Sequence, residues 1–483
     1  MVSAPAPAPA ATTTASPTIP ELFARQQARS EALRREAVSS RAARLRKLDK
    51  WITANRDAIC EALYTDFRKP AAETDITEVW SSQTELRHTL SHLEKWSAPR
   101  KVSTPMALVG SRGWVQTEPK GVCLIIAPWN YPFYLAVDPL ISALAAGNAV
   151  ILKPSEMTPA VAALLSRMCR ELFDPAEVTV VEGDKDVATE LLKLPFAHIF
   201  FTGSPQVGKI VMRAAAEHLT SVTLELGGKS PAVIDETANL RDAAEKIIWG
   251  KGVNAGQTCV APDYVMVHEN VRDELLTELR DATRRFYSPE GQPVIESDSY
   301  ARIVNNHHYE RLAGLLDDAR SQGVTVAQGG ATDAGQCFIE PTVLLDPPTD
   351  SRIMQEEIFG PLLPVLTFRN LMEAVDEVNT RPKPLALYVF TQDDENQRYL
   401  LQNIPAGGAC VNETILHLAH PDLPFGGFGN SGLGRCHGHA GFMAFSNEKS
   451  VLKQHVGLTS IKALYPPYTP RVKSMISLLL KWL

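Results

Sequence analysis

Cys259 lies in the run Asn254-Ala-Gly-Gln-Thr-Cys259-Val-Ala-Pro262, behind a glycine and small polar residues. A cysteine so placed can sit on an exposed turn where main-chain N–H groups point at a bound oxygen, as a nucleophile requires. Cysteine is also among the most buried residue types, so a lone one is more often part of a core. Glu225, in Leu224-Glu225-Leu226-Gly227-Gly228-Lys229-Ser230-Pro231, ends an apolar run and precedes two glycines that let the chain turn and a ligand approach. Burial there would raise its pKa and suit it to general-base work; a surface glutamate before a tight turn is the alternative. Asn130, in Ile125-Ile-Ala-Pro-Trp-Asn130-Tyr-Pro132, is bracketed by prolines that fix its loop. Its carboxamide can offer an N–H to a developing oxyanion beside the Cys259 backbone N–H, although loop asparagines usually just form turns.

A second set of residues suits a dinucleotide. Ile199-Phe-Phe-Thr-Gly203-Ser204-Pro-Gln-Val-Gly208-Lys209 reads as a strand, a glycine turn and a helix with Ser204 as N-cap and Pro205 in the first turn. Helix N-termini attract phosphate, so this is a candidate pyrophosphate site, although the glycine spacing is not the usual GxGxxG. Lys153 and Glu156, just past a strand, suit ribose hydroxyls, and Glu357 with Phe359 pairs a carboxylate with a ring that can hold a nicotinamide riboside. Each also has a plain reading as a strand-end charge or a turn.

These residues need a scaffold. At 483 residues the chain is too long for one ordinary core, and two domains are expected. From Ile19 to about Trp96 the sequence is charged and helix-periodic, with a break at Pro70. The region from Val102 to Gly121 carries turn signals and predicts extended strands, a protruding hairpin suited to oligomer contacts. Apolar runs then alternate with helical stretches, at 122–126, 149–152, 178–181, 198–201 and 222–224, and again at 231–234, 264–268, 324–327 and 363–368. Strands buried on both faces and separated by helices predict two parallel α/β lobes.

The formal charge of -7 argues against a nucleic-acid surface, and the seven scattered cysteines lack the spacing of a zinc site or a disulfide framework, which fits a reducing, intracellular compartment. No metal ligand set is expected. The Ala/Pro/Thr-rich start reads as a disordered leader without a targeting signal. After Tyr465-Pro-Pro-Tyr-Thr-Pro470, the residues Ile476, Leu479, Leu480 and Leu483 recur at helical spacing beside Arg471 and Lys473. This predicts a tail helix, either docked on its own protein or a partner subunit or lying as an anchor in a membrane surface; it falls far short of the roughly 20 residues of a spanning helix.

Taken in order, PWNYP, KPSE, FTGSPQVG, ELGGKSP, GQTC and EEIFGP resemble the aldehyde dehydrogenase superfamily from about residue 25 to 460. KPSE, Cys259-Val-Ala-Pro-Asp-Tyr264, Leu423-Pro-Phe-Gly-Gly-Phe-Gly-Asn-Ser-Gly-Leu-Gly434 and His437-Gly438 look like its class 3 group, which includes enzymes for fatty, aromatic and apocarotenoid aldehydes. The resemblance implies an α/β fold with a Rossmann-like cofactor lobe, an α/β catalytic lobe and a small β oligomerisation hairpin. It implies a leader at 1–18, a cofactor domain at 19–225 with 413–440, oligomerisation strands within 103–120 and 441–460, a catalytic domain at 226–412 and a tail at 461–483.

By the same resemblance, Cys259 is the nucleophile, Glu225 the base that activates water, and Asn130 with the Cys259 main chain the oxyanion hole. Lys153 and Glu156 meet the adenosine ribose, Gly203, Ser204 and Gly208 surround the pyrophosphate, and Glu357 with Phe359 meets the nicotinamide ribose of NAD or NADP, with NAD favoured. Tyr131, Ile415, Leu416 and Phe425 are the candidate lining of a substrate tunnel, whose apolar character favours a medium or long-chain or aromatic aldehyde. A homodimer in the cytoplasm, with membrane contact through the tail, completes the expectation. The rivals are a CoA-acylating enzyme, against which Glu225 in its ELGGKSP context speaks, and a non-catalytic protein of the same fold, which would not need to keep Cys259, Glu225 and Asn130.

Overall fold

Five-residue apolar runs such as Val122–Ile126 and Ala149–Lys153 are buried at every position, so they can only be strands covered on both faces. In the computed structural model, which describes residues 17–105, 108–457 and 459–481, such strands build two α/β lobes. One sheet of six strands runs in the order Gly432–Leu433, Ser221–Glu225, His198–Thr202, Val122–Ile126, Ala149–Lys153, Val178–Val180. Its strands are parallel except the first, which pairs antiparallel with Ser221–Glu225 and returns the chain from the far lobe. From Val122–Ile126 the chain steps outward twice on one side and then crosses to the other. The crevice at that crossing lies at the carboxyl ends of Val122–Ile126 and His198–Thr202, where open α/β sheets bind ligands.

The second sheet has seven strands in the order Thr325–Gln328, Thr342–Leu345, Leu362–Phe368, Tyr264–His268, Pro231–Ile234, Ala386–Phe390, Gly408–Val411. All pairs are parallel except the one formed by Thr325–Gln328. The strands at 342–345, 386–390 and 408–411 are additions to those expected.

The N-terminal segment is helical, and the expected break falls between Phe67 and Ala71. A π-helical turn, Asp75–Trp80, interrupts the following helix. Ser111–Pro119 pairs antiparallel with Ser446–Gln454 along nine residues and with Arg100–Val102 on its other side. The strand character expected across 103–120 and 441–460 is thus narrower in the structure. Between Val102 and Ser111 no strand forms among the described residues, and Gly438–Ala444 is helix because its face buries Gly441 and Phe442 against the lobe of the six-stranded sheet.

Of the expected leader at 1–18, only Pro17 and Thr18 fall within the described residues, and Thr18 N–H donates to Glu21 at 2.8 Å at the start of the helix Ile19–Leu33. The tail forms the helix Pro470–Leu479, in which no residue is fully buried and Val472, Met475 and Ile476 are half-buried; Leu483 lies outside the described residues. Among the described residues no helix is long and apolar enough to cross a membrane.

Candidate active site

Cys259 is carried by a loop that leaves the helix Leu240–Gly252 through Val253–Gly256, in which Asn254, Ala255 and Gly256 all have positive φ (56°, 51° and 76°). Non-glycine residues hold this conformation only where the surroundings enforce it. Two buried amides do so. The Asn254 carboxamide donates to the carbonyls of Asn130 (2.8 Å) and Gln257 (3.0 Å), and the Gln257 carboxamide donates to Asn254 (2.8 Å) and Arg302 (3.0 Å) while accepting from Val304 N–H (2.9 Å). The Cys259 thiol is half-buried, and its own N–H and that of Val260 are directed at the sulfur. Burial first, then the nearby charges of Glu357 and Glu225, push the thiol up to about 12.

Glu225 ends the strand Ser221–Glu225 and is buried, with its carboxylate against Gly426 and beside Cys436. Burial raises its pKa well above the usual range, and the neighbouring Arg435 and Cys436 offset this only in part. Asn130 follows the strand Val122–Ile126 and is also buried. Its side chain and Glu225 therefore come from two strand ends of the cofactor sheet, while Cys259 comes from the other lobe. The arrangement can attack a carbonyl carbon, hold the resulting oxyanion and deprotonate a water.

The dinucleotide candidates cluster at the crevice. Gly203 N–H donates to the Glu225 carbonyl at 3.0 Å, and the exposed Ser204 caps the helix Pro205–Ala216 by accepting from Val207 N–H at 3.4 Å. Gly208 passes Leu226 at a distance where a Cβ would stand 2.7 Å from Leu226 Cδ2. Lys153, buried at the end of its strand, donates to Glu156 at 2.8 Å. Glu357 accepts from the Gly228 N–H and is pushed up to about 8, mainly by burial and by Asp263. Phe359, with φ 49°, meets Trp129 edge to face with ring centroids 5.2 Å apart.

Sequence reasoning passed over the groups that hold these loops together. Lys229 pairs with Asp263 and donates to the carbonyls of Ile353 (2.8 Å) and Glu356 (3.0 Å), while Asp263 accepts from Ile358 N–H at 2.9 Å. The loop bearing Glu357 and Phe359 is thereby fixed to the end of the Glu225 segment. Asp138, Cys436 and His437 converge behind Glu225, with their potential ligand atoms within 4.8 Å of one another. Only their burial in the fold brings them together, and nothing in their spacing announces it.

The tunnel candidates occupy different surroundings. Tyr131 is buried with its hydroxyl 2.6 Å from Thr258 Oγ1, Ile415 is buried with φ 62°, Leu416 is exposed, and Phe425 stacks on His437 at 5.1 Å.

Residues 10–451 match the model of the aldehyde dehydrogenase family. The chain belongs to that family. The dehydrogenase is 46% identical to 4,4'-diaponeurosporen-aldehyde dehydrogenase of Staphylococcus aureus over 90% of this chain and 94% of that one. It is 42% identical to aldehyde dehydrogenase family 3 member B1 of Rattus norvegicus over 91% of this chain and 92% of that one. The structure of Staphylococcus aureus AldH in its substrate-bound state superposes with a TM-score of 0.92 at 44% identity, covering 96% of this chain and all of that one. The enzyme is thus a class 3-like, NAD(P)-dependent aldehyde dehydrogenase that oxidises an aldehyde.

Proposed function

We propose that this dehydrogenase works through a thioester on Cys259, with Asn130 and the Cys259 N–H as oxyanion donors and Glu225 as the base for hydrolysis. The observation that carries the reading is the convergence of these three residues from two lobes, with the Asn254 carboxamide tying the Cys259 loop to Asn130. Cys259 loses its proton to water, the thiolate sulfur adds to the aldehyde carbon, and the oxygen that becomes negative is met by the Asn130 carboxamide and a main-chain N–H. Loss of one such donor typically costs about 3 kcal/mol of barrier. The bound dinucleotide supplies the hydride acceptor. Glu225, in its charged form, then takes a proton from the water that attacks the thioester carbonyl.

The residues at the crevice fit a nicotinamide dinucleotide. The helix Pro205–Ala216 starts just past the strand His198–Thr202, where the positive end of its dipole suits a pyrophosphate, and the exposed Val207 and Ile210 offer an apolar face to a flat base. Glu156, held by Lys153, puts a carboxylate where a ribose hydroxyl is welcome and a phosphate is repelled, which supports NAD over NADP. The apolar Ile415 and Phe425 support a medium or long-chain or aromatic aldehyde.

The nine-residue pairing of Ser111–Pro119 with Ser446–Gln454, whose sheet leaves Val102 and Leu452 exposed, supports a homodimer formed through this sheet. Sheet pairing supports placing the cofactor domain at 19–225 with 413–440 and the catalytic domain at 226–412. Seven free cysteines suit a reducing, cytoplasmic setting, and the exposed, basic and apolar tail helix supports contact with a membrane surface.

The decisive test is Cys259→Ala in the purified full chain, read as aldehyde-dependent NADH and NADPH formation and, separately, as quenching of protein fluorescence by added NAD. Loss of turnover with cofactor binding retained is expected; turnover that survives the substitution would refute the nucleophile assignment.

A further inference from the structure

Three charged side chains from the N-terminal helical segment are packed beneath the point where the two catalytic loops meet. Lys69, fully buried, donates to Glu78 Oε1 at 2.9 Å, and its ammonium lies 4.0 Å from the centre of the Tyr131 ring. Glu78 Oε2 accepts from the N–H groups of Phe133 (3.2 Å) and Tyr134 (2.8 Å), in the segment that follows Asn130. Glu73 Oε1 accepts from Asn254 N–H at 2.7 Å, at the first left-handed residue of the Cys259 loop. The buried ammonium pairs with Glu78 and its charge also favours the carboxylate form of Glu73, and each carboxylate grips a different loop. Desolvated charges are weak stabilisers, so their net contribution to folding gives little reason for placing them here.

The local helix explains how both carboxylates reach the same region. Glu73 and Glu78 are five residues apart, a spacing that an α-helix would send to different faces. The π-helical turn Asp75–Trp80, in which residues five apart succeed one another along the axis, brings them back toward one side. Direct contacts between the loops complete the assembly: Tyr131 with Thr258 at 2.6 Å, and Asn254 with the Asn130 carbonyl at 2.8 Å.

We propose that Glu73 is a positioning residue, whose carboxylate, near the buried Lys69 ammonium, holds the left-handed turn at Asn254 so that the Asn130 carboxamide and the Cys259 N–H address one oxyanion. The inference rests on the roles proposed above for Cys259 and Asn130. No bond to substrate is involved; Glu73 acts by accepting one main-chain N–H that would otherwise be left buried without a partner.

The test compares pre-steady-state NADH bursts of the full-length enzyme with hexanal. Glu73→Ala is expected to slow the burst on the order of tenfold or more, as a displaced reacting group does, while KM for hexanal stays within about threefold. Glu73→Gln retains an oxygen that accepts the same N–H, and its burst is expected to stay within about threefold of the parent. Glu73→Asp keeps the charge but withdraws the acceptor by one methylene, and it is expected to be slow; this pair decides the matter even where the alanine variant fails to fold. A normal burst in Glu73→Ala or Glu73→Asp, or a Glu73→Gln burst as slow as theirs, would overturn the proposal. Failure of the underlying mechanism shows itself separately, as a burst that persists in Cys259→Ala.

Discussion

Glu357 lies with its carboxylate directly over the bare Cα of Gly227, in the space that a Cβ at position 227 would occupy, and accepts from the neighbouring Gly228 N–H. The pair of glycines after Glu225 therefore does more than turn the chain. It lets the carboxylate of Glu357 dock just past the end of the strand Ser221–Glu225, where a nicotinamide ribose is proposed to sit.

Gly227→Ala should consequently expel Glu357 from its seat. The expected outcome is a rise of about tenfold in KM for NAD, equivalent to about 1.4 kcal/mol of lost binding, with KM for the aldehyde little changed. Steady-state kinetics in both substrates would check this, and an unchanged cofactor KM would show that Glu357 does not serve the dinucleotide.

Glu225→Gln removes the proposed base without changing shape. The burst should persist while steady-state turnover falls by about 10²- to 10⁴-fold, the usual contribution of a general base. In the parent enzyme hydrolysis should rise with pH through the raised pKa of Glu225, because only the charged form accepts a proton, and the variant should lose that limb. Stability has the opposite sign. The folded carboxyl holds its proton above the range in which the unfolded chain releases it, so the folded state is penalised as pH rises from the ordinary glutamate range through the folded pKa. The melting temperature of Glu225→Gln should match the parent near pH 4 and exceed it increasingly toward pH 9.

Much of this architecture can be read from local sequence because burial on both faces leaves no room for polar residues: Val122–Ile126 and Tyr264–His268 appear as uninterrupted apolar runs with the bounds expected. The chemistry-bearing loops are legible because each combines glycine or proline with one functional side chain at a strand end. The supporting charges are not. Lys69, Glu73 and Glu78 lie in a charged helical stretch and read as a solvated face, since burial by residues 55 or more positions away leaves no mark on local periodicity. Asp138 and Cys436 are nearly three hundred positions apart, and only the return of the chain after the catalytic sheet makes them neighbours. The tail stays open for a similar reason, because an apolar stripe at helical spacing describes a docked helix and a membrane-facing one equally well.

Gln257 supplies two donors and one acceptor to three main-chain groups in two segments, around Asn254 and at Arg302 to Val304, all buried. Its replacement by alanine should destabilise the fold by about 3 kcal/mol, at about 1 kcal/mol for each net hydrogen bond lost, and should slow the NADH burst because the Cys259 turn loses its frame. Gln257→Glu should be at least as harmful, since a carboxylate cannot donate to the carbonyls of Asn254 and Arg302. Urea denaturation beside stopped-flow measurements would test both statements; alanine and glutamate variants with parental midpoints would show that the amide does not brace the loop.

The tail helix Pro470–Leu479 begins with Thr469 accepting from Val472 N–H at 3.4 Å, and it exposes Leu478, Leu479 and Leu480 together with Arg471, Lys473 and Lys481. Apolar residues left in water beside cations are matched to an anionic membrane surface, where each basic side chain contributes about 1 kcal/mol at low salt. Deletion of residues 470–483 should therefore leave kcat/KM for a short, water-soluble aldehyde within about twofold, because the helix contributes no fully buried residue to the enzyme. The same deletion should abolish co-sedimentation with vesicles containing phosphatidylserine, and 0.5 M NaCl should weaken binding of the full chain by screening the charges. Equal sedimentation of both forms would remove the tail from membrane contact, whereas a drop in activity toward the short aldehyde would mean that the helix packs on the enzyme in solution.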